Sequence, residues 1–131
     1  MSAPTVKVLS VRQPWAWAIV TGLKCVENRT WRTAYRGPLA IHASQRVDAQ
    51  GAAWIGRHLG RPVPPVLPRG GIVGHVELTD CVEHVDSPWF FGPYGFVLQD
   101  ARALPLVPWP GRLRLFDVPA TLISQAAAEA T

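Results

Sequence analysis

Cysteine is scarce in this chain: 131 residues contain two, Cys25 and Cys81. They form no CxxC pair and match no zinc spacing, so a thiolate metal site is not expected, and one disulfide or two free thiols remain the alternatives. The Gly-x4-Gly-Lys-Ser/Thr phosphate loop, the Gly-x-Gly-x-x-Gly fingerprint and the His-Glu-x-x-His pair are all missing, which removes support for P-loop hydrolases, dinucleotide enzymes and zinc peptidases. No cofactor and no metal are implied. No stretch approaches the roughly 20 apolar residues that span a bilayer, and the opening Met1-Ser-Ala-Pro-Thr-Val-Lys7 has no apolar run of signal-peptide length. A cytoplasmic protein with reduced thiols and no membrane contact is the expectation.

Acidic groups are also few, nine against thirteen Lys and Arg, for a formal charge of +4. The basic residues run along the body from Lys7 to Arg114, which suits a partner carrying phosphates. With 48% apolar and 17% charged residues the chain should fold, and its length fits one domain over residues 1–131. Six tryptophans are abundant for this length. Each offers a flat face that fills a core or stacks on a base.

Alternation predicts a first strand over Thr5 to Val11, and a short helix follows Gln13-Pro14 and stops at Gly22. A second strand is expected from Cys25 to Arg32 and a third, apolar on both faces and central, from Gly37 to Ser44. Asp48 to Leu59 reads as a helix closed by Gly60, and the four prolines between Arg61 and Arg69 demand an extended loop. A long strand over Gly70 to Val85, an aromatic loop over Asp86 to Gly95, two strands (Phe96 to Leu106 and Arg112 to Val118) and a weak Ala-rich C-terminal helix complete the chain. The sum is an α+β domain of five or six strands with two inserted helices, expected to curl into a small β-barrel.

The chemistry concentrates in Gly22-Leu-Lys-Cys-Val-Glu-Asn-Arg29, where Lys24, Glu27 and Arg29 interrupt apolar runs. In a regular strand Glu27 and Arg29 share a face and Lys24 does not. A bend between Gly22 and Cys25 would bring all three to one cleft. Lys24 and Arg29 can donate to phosphate, and Glu27 can accept from the edge of a base or lock Arg29. Arg12 and Gln13 sit at the strand–helix junction, where a helix N-terminus favours an anion. Trp17 is the expected cleft wall and Trp15 expected core. His42 and Glu77 are further polar groups for the same cavity, and Trp89 and Tyr94 are expected to stack on a base from a lid that also carries Phe90 and Phe91.

Leu9-Ser-Val-Arg-Gln-Pro-Trp-Ala followed by Gly22-x-Lys-x-x-Glu-x-Arg29 resembles the ASCH domain of the PUA-like superfamily, whose hallmark is that second pattern after the first helix. Gly37-Pro-Leu-Ala-Ile-His-Ala, Gly70-Gly-Ile-Val-Gly-His-Val-Glu-Leu-Thr-Asp-Cys and Ser87-Pro-Trp-Phe-Phe-Gly-Pro-Tyr-Gly extend the likeness over roughly residues 6–118. It is similar to the small stand-alone group related to the endothelial-overexpressed lipopolysaccharide-associated factors. The resemblance implies a PUA-like β-barrel and a cleft beside the first helix that handles RNA or a modified nucleotide. Some relatives resemble amidohydrolases acting on an acylated cytidine through a Lys, a Thr and a later Glu. Lys24 and Glu77 match two of these, but Glu27 stands where the Thr is required. Binding of RNA or a modified nucleotide is therefore the first reading, and an RNA-processing hydrolase, ribonuclease or amidase, using Lys24, Glu27 and Glu77 is the alternative.

Overall fold

The computed structural model describes residues 3–130; residues 1, 2 and 131 of the expected 1–131 domain lie outside that range. The chain runs β1 (Thr5–Gln13), α1 (Trp15–Val20), β2 (Val26–Arg29), β3 (Gly37–Val47), α2 (Ala49–Leu59), β4 (Gly71–Val82), β5 (Tyr94–Pro108), β6 (Leu115–Pro119) and α3 (Ala120–Glu129). The strands form one mixed sheet in the order β2-β5-β4-β3-β1-β6. β1 and β3 are parallel, and the other neighbours are antiparallel. A parallel pair needs a long crossover, and α1 with β2 supplies it.

Alternation sorts the sheet's side chains into two cores. Leu9, Leu39, Ile41, Val76 and Phe96 meet Ile19 and Val20 of α1. Val8, Ala40, Ile72 and Phe116 belong to a second cluster that includes Leu122 and Ile123 of α3. Both faces of β3 are thus covered, which is why its sequence is apolar on both. The other side of α1 is buried too: Ala18 packs with Ile55 of α2 and with Trp89 of the aromatic loop. The six-residue helix is held between sheet and loop, its packing standing in for the propensity that so short a helix lacks.

The helix ends follow local chemistry. Asp48 Oδ1 accepts from Gly51 N at 2.9 Å to cap α2, and Gly60 closes it in the left-handed conformation at φ 71°. After α1, Gly22 takes φ 82°, a value that Cβ sterics disfavour for other residues. This turn bends the chain before β2.

The expectation of a barrel is corrected by the sheet, which stays open. Among the described residues β2 and β6, the two edges, pair only with β5 and β1 respectively. β2 ends after four residues, and β6 accompanies β1 only from Thr5 to Leu9, so the two edges have too little ladder to close the seam. One residue beyond that pairing, the Ser10 carbonyl accepts from Arg29 Nη2 at 2.8 Å. A side chain, rather than a strand ladder, bridges the gap. No helix among the described residues is long and apolar enough to cross a membrane, and Cys25 and Cys81 are both free thiols.

Candidate functional site

The open seam is a cleft of about 510 Å³ whose lining comes from the end of β1, the Lys24–Thr30 run, Trp31, the start of α2 and the aromatic loop. Three charged groups of one short segment converge in it. Lys24 Nζ donates to Glu27 Oε1 at 2.5 Å, and Arg29 donates to Glu27 Oε2 through Nε at 3.0 Å and Nη2 at 2.7 Å. The Gly22 turn and the Lys24 N–H bond to the Ala18 carbonyl supply the bend that a regular strand would lack. Lys24 joins Glu27 and Arg29 because the strand begins only at Val26.

Lys24 is 2% exposed and Glu27 6%, while the Arg29 side chain keeps 22% of its surface open. Burial alone pushes the Glu27 carboxyl up. The charges of Lys24 and Arg29, together with their hydrogen bonds, outweigh it and hold the group below its ordinary value of 4.5. Glu27 is therefore an ionised counter-charge with both oxygens engaged. Arg12, Lys24 and Arg29 against Glu27 and Asp48, three cations to two anions, leave the cleft lining with a surplus of one positive charge.

The walls are aromatic. Lys24 Nζ lies 5.4 Å from the centre of the Trp15 ring, and Trp15 Nε1 donates to Asp48 Oδ2 at 2.9 Å. That bond, before the Gly51 amide, holds the Asp48 carboxyl below its ordinary 3.8. A Cβ on Gly51 would lie 2.5 Å from Trp15 Nε1, so glycine at this point of α2 makes room for the indole. Trp31 stands opposite, edge-on to Phe96, with the Arg114 guanidinium 5.0 Å over its ring. Phe91 forms part of the mouth.

Arg12, Lys24, Glu27 and Arg29 line this cleft as expected. Arg12 is exposed and has no hydrogen-bond or ion-pair partner among the described residues. The other expected ligand groups are used elsewhere. Gln13 is buried, its Oε1 accepting from Trp17 N at 2.9 Å and its Nε2 donating to the Pro68 carbonyl at 2.9 Å. It thereby fills the helix N-terminus that was expected to favour an anion. His42 is a core group: Nε2 donates to the Trp109 carbonyl at 2.6 Å, leaving Nδ1 to accept from Ser10 Oγ at 3.2 Å.

Trp17 packs in the cluster of Ala18 and Ile55 and does not line the cleft, whereas Trp15 packs against the core as expected and also lines the cleft. Trp89 is buried in that same cluster, and Tyr94 lies under the Arg32 guanidinium, 5.3 Å away, outside the cleft lining. Glu77 lies elsewhere on the sheet, opposite Pro38 and Gln99 in the ladders, and does not line the cleft. Lys24 and Glu77 thus form no acid–base pair there. Among the cleft residues, Trp31 and Asp48 were not expected there, Trp15 was expected only in the core, and Phe91 was expected as one ring of the lid. Of the first two, only Asp48 carried a signal, its place just before a helical run.

A model of the ASCH domain matches residues 9–100. The chain belongs to the ASCH domain family. Over 81 residues this ASCH domain is 37% identical to human activating signal cointegrator 1 and 38% identical to the mouse protein, 56% of the chain in each case. The matched region spans only 14% of those relatives' length. Crystal structures of ASCH from Zymomonas mobilis, one of the protein and one of a mutant with a single substitution, each superpose with a TM-score of 0.58 at 17% identity. They cover 93% of this chain, which covers 93% and 96% of theirs. That likeness concerns the fold, an α+β arrangement consistent with the PUA-like superfamily.

The ASCH site sets a pH dependence. A depressed folded-state value means that ionised Glu27 favours the native state above the ordinary carboxyl range, and that this contribution disappears as pH falls through the folded value. Asp48 acts in the same sense. The melting temperature is expected to hold from neutral pH to about 5 and to fall below about 4. Thermal melts across that range check it, and Glu27→Gln should flatten the acid limb.

Proposed function

We propose that the cleft binds RNA or a nucleotide, with Arg29 and Arg12 meeting phosphate and Lys24 holding the floor positive. The observation that carries this reading is the surplus of fixed positive charge at the base of an aromatic-walled cleft of about 510 Å³, a volume within the usual range of ligand sites. Arg29 is already oriented by Glu27 and the Ser10 carbonyl. Its remaining donors therefore meet a phosphate with little ordering cost. Trp15, Trp31 and Phe91 offer faces to a base. RNA association is also the function generally proposed for ASCH domains.

No observation favours the hydrolase reading. Glu27 is ionised with both oxygens occupied, and Glu77 lies outside the cleft.

Fluorescence anisotropy with labelled single-stranded RNA at several salt concentrations tests the proposal. Arg12→Ala, which breaks no bond within the protein, is expected to weaken binding several-fold and to lower the slope of log affinity against log salt by about 1. Arg29→Lys, which keeps the charge but loses the planar fork, should also weaken binding. Affinity and slope unchanged in both variants would rule the reading out.

A further inference from the structure

Beside the charged cleft lies a second cavity of about 520 Å³, running along α2. Trp15, Asp48 and Phe91 line both cavities, so the two form one groove with Phe91 at the divide. Phe91 is 61% exposed. The loop backbone that presents this ring is held by side-chain hydrogen bonds. Asn28 Oδ1 accepts from the N–H groups of Phe91 at 2.8 Å and Gly92 at 3.0 Å, and Asn28 Nδ2 donates to the Trp89 carbonyl at 2.9 Å. Asn28 stands between Glu27 and Arg29, so the segment that builds the charged floor also holds the ring at its mouth.

The far cavity has its own aromatic and its own cation. Trp54 meets Phe91 edge-on at 5.4 Å, 77° between planes, which leaves a face of Phe91 uncovered by that neighbour. Arg57 is exposed on the same wall, and its side chain has no hydrogen-bond or ion-pair partner among the described residues. The ionised Asp48 carboxylate at the junction disfavours a phosphate there. Phosphates then fall to Arg12 and Arg29 on one side and to Arg57 on the other, and a base occupies the divide.

We infer that the groove takes a single-stranded oligonucleotide of at least two nucleotides, one in the charged cleft and the next stacked on Phe91 with its phosphate at Arg57. This inference rests on the nucleotide reading of the cleft. A single strand is required because a duplex keeps its base faces stacked on each other, whereas an exposed ring recognises an unstacked base whatever its identity. Asn28 is the positioning residue for that ring.

Calorimetric titration with a random-sequence pool of RNA tetranucleotides and with the matching mixture of 5′-mononucleotides tests it. The wild-type protein is expected to bind the tetranucleotides at least about tenfold tighter, the lower part of the range for one stacked base. Phe91→Ala should lose about tenfold in tetranucleotide affinity, and Arg57→Ala should bring the ratio of the two affinities back toward one. Both side chains are exposed, and circular dichroism will show the fold intact. Equal affinity for both ligands in the wild type, or a ratio that neither variant changes, overturns the second subsite and leaves the cleft reading standing. Failure of the wild type to bind either ligand overturns the cleft reading and the subsite with it.

Discussion

Glu27→Gln is expected to reduce the free energy of unfolding by about 3–5 kcal/mol, the range for breaking a buried ion pair from one side. The substitution keeps the shape and removes the charge. Lys24 is then a cation with 2% of its surface exposed whose ammonium group, among the described residues, donates only to the carboxylate that is lost. Arg29 loses two of its three bonds but can turn to water, so most of the effect comes from Lys24. Urea denaturation measures it, and a loss under about 1 kcal/mol would mean that solvent already shares the pair. The reciprocal test is the double variant Lys24→Met with Glu27→Leu. Replacing both partners by apolar groups removes the unpaired charge, so much of the stability should return, while RNA affinity should fall below that of the wild type because the Lys24 charge is gone. That separation is the clearest sign of a triad whose positive charge serves binding.

Gly74→Ala is expected to lower stability by about 1–3 kcal/mol, as overpacking does, and to disturb the cleft from a distance. A Cβ at residue 74 would collide with the Arg102 carbonyl oxygen and lie 2.5 Å from Val20 Cγ1. The carbonyl belongs to the neighbouring strand, where the ladder is irregular between Ile72 and Gly74, and backbone yields poorly. Val20 is the last residue of α1, two before the Gly22 turn that delivers Lys24. Relief through α1 therefore moves the helix that carries Trp15. The indole N–H of Trp15, bonded to Asp48, reports this as a changed shift in a heteronuclear NMR spectrum. Unaltered stability together with an unmoved indole signal would show that the sheet absorbs the extra methyl group elsewhere.

Much of this architecture is written locally. β3 reads as central because apolar residues on both faces make sense only where both faces are covered, and α2 is framed by Asp48 and Gly60, whose backbone chemistry is local. The convergence of Lys24, Glu27 and Arg29 was legible for the same reason, since a glycine turn and a four-residue strand lie within the segment itself. Polar groups beyond that range could not be placed from the sequence. Gln13 and His42 look like ligand groups, but their partners Pro68 and Trp109 lie 55 and 67 residues away, and no local pattern announces such bonds. Glu77 alternates onto a polar face without revealing that the face lies away from Lys24.

The tryptophans mark the boundary most sharply. Trp15 and Trp17 are two residues apart on a six-residue helix packed on more than one side, so neither hydropathy nor period says which ring meets the cleft. The sheet and α2 decide it, because Gly51 leaves space for the Trp15 indole and Asp48 gives its N–H an acceptor. Phe91 is likewise indistinguishable from Phe90 and Trp89 until Asn28 pins the loop. The succession of elements and the charged segment follow from the amino-acid order alone, since both are consequences of short-range periodicity and turn sterics. That the sheet stays open and its seam becomes a cleft follows only from the folded arrangement, because edge pairing and the burial of each ring depend on contacts between residues far apart in the chain.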